Sequence, residues 1–189
     1  MSSRTKALFL ILILLGAVAL LGAASLGERT AASLRARGVD PRLIVLVISM
    51  VPIIELRGAI PVAMAVFGMS WQEAALISVV GNMLPIPLIL LFLDWFLNLI
   101  GKFRWGRRLT EWLFKRTRNK GKSIERYEEL GLAVFVGIPL PGTGAWTGAL
   151  IAKVFGLNFW KSLFWIFVGV LLAATAVTAV TYLGTSLAG

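Results

Sequence analysis

Five apolar stretches, over residues 7–26, 43–67, 71–100, 130–155 and 159–183, take up most of this 189-residue chain. A soluble domain has no interior large enough to hide them, so lipid is the solvent for most of the chain. Composition agrees: 58% of residues are hydrophobic and 15% charged, against about 25% charged in typical soluble domains. A water-soluble enzyme, a coiled coil and a disordered polymer are excluded, and the expected fold class is an all-α integral membrane protein forming a single domain over residues 1–189. There is no Cys and no His. Disulfide, thiolate and imidazole chemistry are therefore absent, and no metal site and no cofactor is expected. Lys and Arg number 19 against 9 Asp and Glu, a net charge of +10. In a membrane protein such an excess marks the cytoplasmic face and contact with anionic lipid, rather than nucleic acid.

Two of the five stretches cannot cross the bilayer as plain helices. PIIELRGAIP, residues 52–61, places Glu55, Arg57 and Gly58 between two prolines at the centre of the stretch 43–67. The prolines and glycine interrupt the helical ladder, and a charged pair at mid-depth of a lone lipid-facing helix is costly. The pattern predicts a re-entrant hairpin whose two arms, about 16 Å each, span half the hydrocarbon core and turn at Glu55–Gly58. PLPGTGAWTG, residues 139–148, breaks the stretch 130–155 in the same way. Residues 7–26 are expected to form an N-terminal transmembrane helix, preferred over a cleaved signal peptide, with Glu28–Arg42 along one membrane surface. Residues 71–100 and 159–183 read as full spans, the first kinked by Gly81, Pro85 and Pro87. Residues 102–129 read as a basic amphipathic segment on the cytoplasmic leaflet. Gly121-Lys122-Ser123 resembles the end of a phosphate loop, but Arg116 stands where that motif needs glycine.

The halves echo each other. Phe67-Gly68 matches Phe155-Gly156 and Gly81 matches Gly169, each at a separation of 88. The order of elements is also repeated: broken hairpin, Phe-Gly, polar step, full span. If residues 102–129 are cytoplasmic, the first hairpin enters from outside and the second from inside, so the two halves form an inverted repeat. Arg4 and Lys6 agree with this orientation, whereas the four arginines between 29 and 42 oppose it. Paired interrupted segments in inverted halves point to a transporter's central site.

The candidate site residues follow. Glu55 and Arg57 are the ionisable residues deep within an apolar stretch. Such residues face a cavity or a partner by default; the competing reading is that they only fasten the hairpin tip. In the functional reading the planar fork of Arg57 binds a phosphate or carboxylate, and Glu55, sheltered from water, takes and releases a proton. The second tip begins at Pro139, and its Gly142, Thr143 and Gly144 offer backbone N–H groups and a hydroxyl that could cradle an anion, or simply permit a tight turn. Gly144, Gly148 and Ala152 form a small-residue stripe suited to close helix packing. Asn82 lines a cavity or bonds to a neighbouring helix, and Trp146 walls the site or belongs to the core. With one deep carboxylate and no His or Cys, a nucleophile–base pair is hard to assemble, so no enzyme activity is expected.

SMVPIIELRGAIPVAM (49–64), VVGNMLPIP (79–87) and PLPGTGAWTGALIA (139–152) resemble the small multidrug-export protein family, which is similar in turn to the DedA/VTT superfamily of small membrane proteins. The likeness covers about residues 43–185. It implies a membrane transporter with two opposed re-entrant hairpins. In the DedA relatives an acidic residue and an arginine in these hairpins are tied to lipid-carrier recycling and proton dependence, which carries over to Glu55 and Arg57. The second hairpin departs from many DedA proteins by having Thr143 and Trp146 in place of charged residues. The expected function is proton-coupled transport or flipping of an amphiphilic anion, such as a polyprenyl phosphate or phospholipid. Export of cationic drugs is the alternative, with Glu55 as counter-charge, and a membrane scaffold is the second. Membrane lipids, the anionic substrate and protons are the expected partners, with a homodimer as the expected assembly if one chain does not enclose a pathway alone. A multi-pass location in a prokaryotic-type plasma (inner) membrane is expected.

Overall fold

The computed structural model describes residues 18, 21–100, 125–138, 140 and 142–188. Most of the expected N-terminal span, Pro139, and residues 102–124 of the basic segment lie outside the described residues. Every regular element among the described residues is helical. We label them α1 (residues 21–35), α2 (Pro41–Met50), α3 (Glu55–Pro61), α4 (Trp71–Met83), α5 (Pro85–Ile100), α6 (Glu125–Gly137), α7 (Ala145–Val154) and α8 (Phe159–Ala188), with a π-helical turn at Val62–Val66 after α3.

Local chemistry sets these boundaries. The Asp40 carboxylate accepts from the Arg42 N–H at 2.8 Å and caps α2, with Pro41 in its first turn. Val51, forced towards extended geometry by Pro52, ends it. Pro61 has no N–H to continue the ladder of α3, and the backbone widens so that Phe67 N–H reaches Val62 O at 3.1 Å. Gly68 (φ 65°) and Gly156 (φ 69°) close the two hairpins in left-handed geometry that glycine adopts freely. Ser70 then caps α4 by accepting from Glu73 N–H, and Asn158 accepts from Trp160 N–H in the first turn of α8.

Four boundaries differ from the sequence expectation. The first tip turns at 51–54, around Pro52, whereas Glu55–Gly58, where the sequence predicts the turn, lie in the first turn of α3. Helix α1 runs on through Glu28–Arg35, because Ala23, Gly27 and Ala31 bury one small-residue face while Glu28, Arg29 and Arg35 stay exposed on the other. Helix α6 starts at Glu125, not 130; its first turn is tied to α8 by Glu129, whose carboxylate accepts from Trp165 Nε1 at 3.0 Å and Lys161 Nζ at 2.8 Å. The first long span divides at Leu84, just before Pro85.

Among the described residues two stretches are long and apolar enough to cross a membrane: Trp71–Phe92, through α4 and the start of α5, and Phe159–Leu187 in α8. They run antiparallel. Trp71 and Gln72 share a groove with Thr178 and Tyr182, whereas Met83 and Pro87 share the adjoining one with Trp160 and Leu163. Helix α4 packs on α2, and α8 on α6, through glycines 88 residues apart. A Cβ on Gly81 would overlap Ser49 Oγ and the Leu46 carbonyl, and one on Gly169 would meet Ala133 O and Val136 Cβ, each at 2.6 Å. Helix α3 sits between the two apolar clusters, giving Leu56 and Ile60 to one and Ala59 and Val62 to the other. It also meets α1 closely, since a Cβ on Gly58 would strike the Ala23 carbonyl.

Gly81→Ala and Gly169→Ala are each expected to lower stability by about 1–3 kcal/mol through overpacking. Gly184→Ala, with nothing within 4 Å of the added methyl, should leave it unchanged or slightly raised. Thermal unfolding in one detergent checks the order.

Candidate functional site

The break in the second apolar stretch leaves two sets of unpaired backbone groups at mid-helix. The last carbonyls of α6 have no intrahelical donor, and the first N–H groups of α7 have no intrahelical acceptor. Both sets are met by side chains of α3.

Arg57 reaches the carbonyl set. Its Nη1 donates to Leu140 O and Thr143 O, each at 2.9 Å. Its Nη2 donates to Thr143 Oγ1 at 2.9 Å, Ile138 O at 3.2 Å and Val136 O at 3.4 Å. Five oxygens of the second tip thus converge on one guanidinium, at the negative end of the α6 dipole. Thr143 organises the loop as well, its hydroxyl lying 2.7 Å from Ile138 O and 2.8 Å from Leu140 O.

Glu55 reaches the N–H set. The Trp146 N–H donates to Glu55 Oε1 at 3.4 Å, and the Ala145 N–H also faces the carboxylate. An anion at a helix N-terminus is well placed. Gly144 makes room for it: a Cβ there would collide with both carboxylate oxygens, and its φ of 128° is one that other residues rarely adopt. Glu55 is itself the one non-glycine residue with positive φ, 50°, among the described residues. Such strain persists only where surrounding contacts over-determine it, and here it swings the carboxylate out of helical phase with Arg57. The two charges are 4% and 6% exposed. They form no ion pair with each other; among the described residues the ion pairs are Arg42–Glu73 and Lys161–Glu129.

Trp146 returns the contact. Its indole Nε1 donates to Met50 O at 3.1 Å, the last residue of α2. Each half therefore caps a broken helix of the other. Of the residues singled out from the sequence, Glu55, Arg57, Thr143, Gly144 and Trp146 are brought together here. Gly58 is buried, but its role is the α1 crossing, and Gly142 is an exposed turn residue with φ 78°. Gly148 packs on Val136 of α6, as the small-residue stripe predicts. Asn82 is buried, and its Oδ1 has no protein partner, a condition shared among the described residues with Ser78 Oγ, Thr178 Oγ1 and Arg57 Nε. Pro139 lies outside the described residues. The sequence reading missed the carbonyls of Val136, Ile138, Leu140 and Met50, because backbone groups leave no residue-type signal. It also missed the α1 contact, although Ala23, Gly27 and Ala31 at i, i+4, i+8 carry that signal.

A family profile described as "Putative small multi-drug export protein" matches residues 55–176, more than half of the chain. The chain belongs to this family. The match starts at Glu55 and runs into α8, so it takes in the whole of the second broken stretch and the charged part of the first. No curated protein and no solved structure matches the chain. The family and the two long apolar helices together place the protein in a membrane.

Arg57→Ala removes the donor from five oxygens of the second tip, one bond buried and four part-buried, and is expected to cost about 3–5 kcal/mol. Thr143→Val, which removes one acceptor and one loop bond, should cost about 1–3 kcal/mol. Thermal unfolding of both variants in the same detergent checks the ranking; equal and negligible losses would mean the guanidinium is not held as described.

Proposed function

We propose that the chain is a proton-coupled membrane exporter of amphiphilic molecules, working from the junction of two re-entrant hairpins. The observation that carries this reading is the pair of buried charges that one apolar segment inserts into the broken ends of the other. A purely structural turn has no need of ionisable groups, which are costly at depth and mark substrate or proton paths. The hairpin reading is supported by helix length: the ten residues of α2 and ten of α7 reach about 15 Å each, half a bilayer core. The inverted arrangement is supported by the antiparallel course of α4 and α8 and by the equivalent crossings at Gly81 and Gly169. On this reading the protein sits in an inner membrane with residues 102–129 cytoplasmic, works among anionic lipids, and pairs as a homodimer.

A proton supplies the switch. Ionised, Glu55 is held by the N–H groups at the start of α7. Protonated, it loses the charge that the helix end favours, and the contact between halves weakens. As the halves part, both helix ends are freed, and the head group of a substrate takes up the one of opposite sign.

Two substrate classes fit different ends of the junction. An amphiphilic anion, a polyprenyl phosphate or a phospholipid, would replace the Glu55 carboxylate at the N-terminus of α7. A cationic drug would replace Arg57 against the carbonyls. The donors of Arg57 are directed to five protein oxygens, so an anion gains little from them without first pulling them away; this favours the cation.

The test is transport in liposomes under an imposed proton gradient. Glu55→Gln should lose gradient-driven movement by at least about tenfold while unfolding within a few degrees of wild type. An unchanged response to the gradient would remove Glu55 from the coupling. Movement of polyprenyl phosphate without movement of any lipophilic cation would decide for the anion.

A further inference from the structure

The second tip is unusual in what it offers. Val136, Ile138, Leu140 and Thr143 contribute four carbonyls, and Thr143 adds its hydroxyl, all within 3.4 Å of the two terminal nitrogens of one side chain. None of these oxygens carries a formal charge, and the group they surround comes from the other half of the chain, 79 to 86 residues away. Resting on the export reading above, we infer that this tip is a seat for N–H-bearing organic cations, guanidinium or primary ammonium, and that Arg57 fills it as a tethered stand-in for the substrate.

The argument is one of satisfaction. When the halves separate, Arg57 leaves with α3, and the carbonyls at the end of α6 lose their donors in a place poor in water. Unpaired buried carbonyls are costly, so the separated state is favoured by whatever can take Arg57's place. The replacement must be positive, because it sits at the negative end of a 13-residue helix. It must also carry several N–H donors in a compact array, because the five acceptors are arranged around a planar fork. A quaternary ammonium offers charge without donors, and a urea offers donors without charge; neither is an equivalent occupant. An apolar tail suits the rest of such a molecule, since Leu56, Val136, Ala145 and Ala149 of the adjoining cluster are buried around the tip.

The test is chemical rescue, read by thermal unfolding of the full chain in phosphatidylcholine nanodiscs. Arg57→Ala is titrated with methylguanidinium and dodecylguanidinium chloride, with dodecyltrimethylammonium and methylurea as comparators. The guanidinium probes should raise the unfolding temperature of Arg57→Ala towards wild type in a saturable way. They should half-saturate at concentrations at least about tenfold below dodecyltrimethylammonium. Wild type, with its seat filled, should not respond over the same range. Adding Thr143→Val to Arg57→Ala should raise the half-saturating guanidinium concentration about fivefold. If Arg57→Ala cannot be purified folded, Arg57→Gln, which removes the charge and the fork but keeps some side-chain volume, carries the same comparison. Equal shifts in wild type and variant, equal shifts with the trimethylammonium probe, or no shift with any probe overturn the inference. Binding and transport fail separately. Rescue of Arg57→Ala without movement of dodecylguanidinium by wild-type liposomes sinks export and leaves the seat, whereas transport without rescue sinks the seat alone.

Discussion

A helix interrupted inside hydrocarbon exposes carbonyls at one broken end and N–H groups at the other, and the protein itself must meet both. In this chain the requirement falls on two residues of α3. Arg57 and Glu55 are only two positions apart, yet they serve helix ends of opposite sign on the same neighbour, separated by the loop 138–144. A regular helix would send positions i and i+2 to different sides. The positive φ at Glu55 removes that constraint, so the local strain and the charge placement have one cause. Gly144 completes it from the other side by leaving out the Cβ that would occupy the carboxylate's place.

The junction is not symmetric, although the two halves share their order of elements. At a separation of 88, Glu55 corresponds to Thr143 and Arg57 to Ala145. A chain with charges on both tips would bring two carboxylates and two guanidiniums into one desolvated space, where like charges repel strongly. Confining the charges to one tip leaves the other free to supply oxygens and N–H groups, and the sum of formal charge at the junction is zero. The return contact from Trp146 to Met50 O uses a neutral donor, which keeps that balance.

Much of this was legible in the residues. The apolar stretches gave the helices, the Pro and Gly clusters gave a break in each of two stretches, though the first turn lies at 51–54 and not at Glu55–Gly58 as expected, and the burial cost of a charge singled out Glu55 and Arg57. The expectation of close helix packing along the small-residue stripe agrees with the contacts at Gly148, whereas Gly144 makes room for the Glu55 carboxylate instead. Which partner each charge takes was not legible, because the partners are main-chain atoms and every residue has those. The sequence reading therefore aimed Arg57 at an external anion, whereas its fork is turned on carbonyls of the other half. That α6 takes in residues 125–129 was hidden for a related reason: these polar residues read with the basic amphipathic segment until Lys161 and Trp165, more than 30 positions later, are seen to hold Glu129.

The strength of the junction depends on how dry it is. Hydrogen bonds to a charged group strengthen as the surroundings lose water, and weaken when water competes for the same donors and acceptors. With Glu55 and Arg57 almost fully covered, the contact is at its strongest with the tips together. A path that admits water from one side lowers the cost of withdrawing Arg57, because water then takes up the donors and acceptors that the withdrawal leaves unpaired. Opening is therefore self-reinforcing on whichever side it begins, and closing expels the water that made opening easy. Two stable arrangements with a costly middle are what an alternating mechanism of the proposed kind would need, and a pair of buried charges placed against backbone rather than against each other would hold one of them.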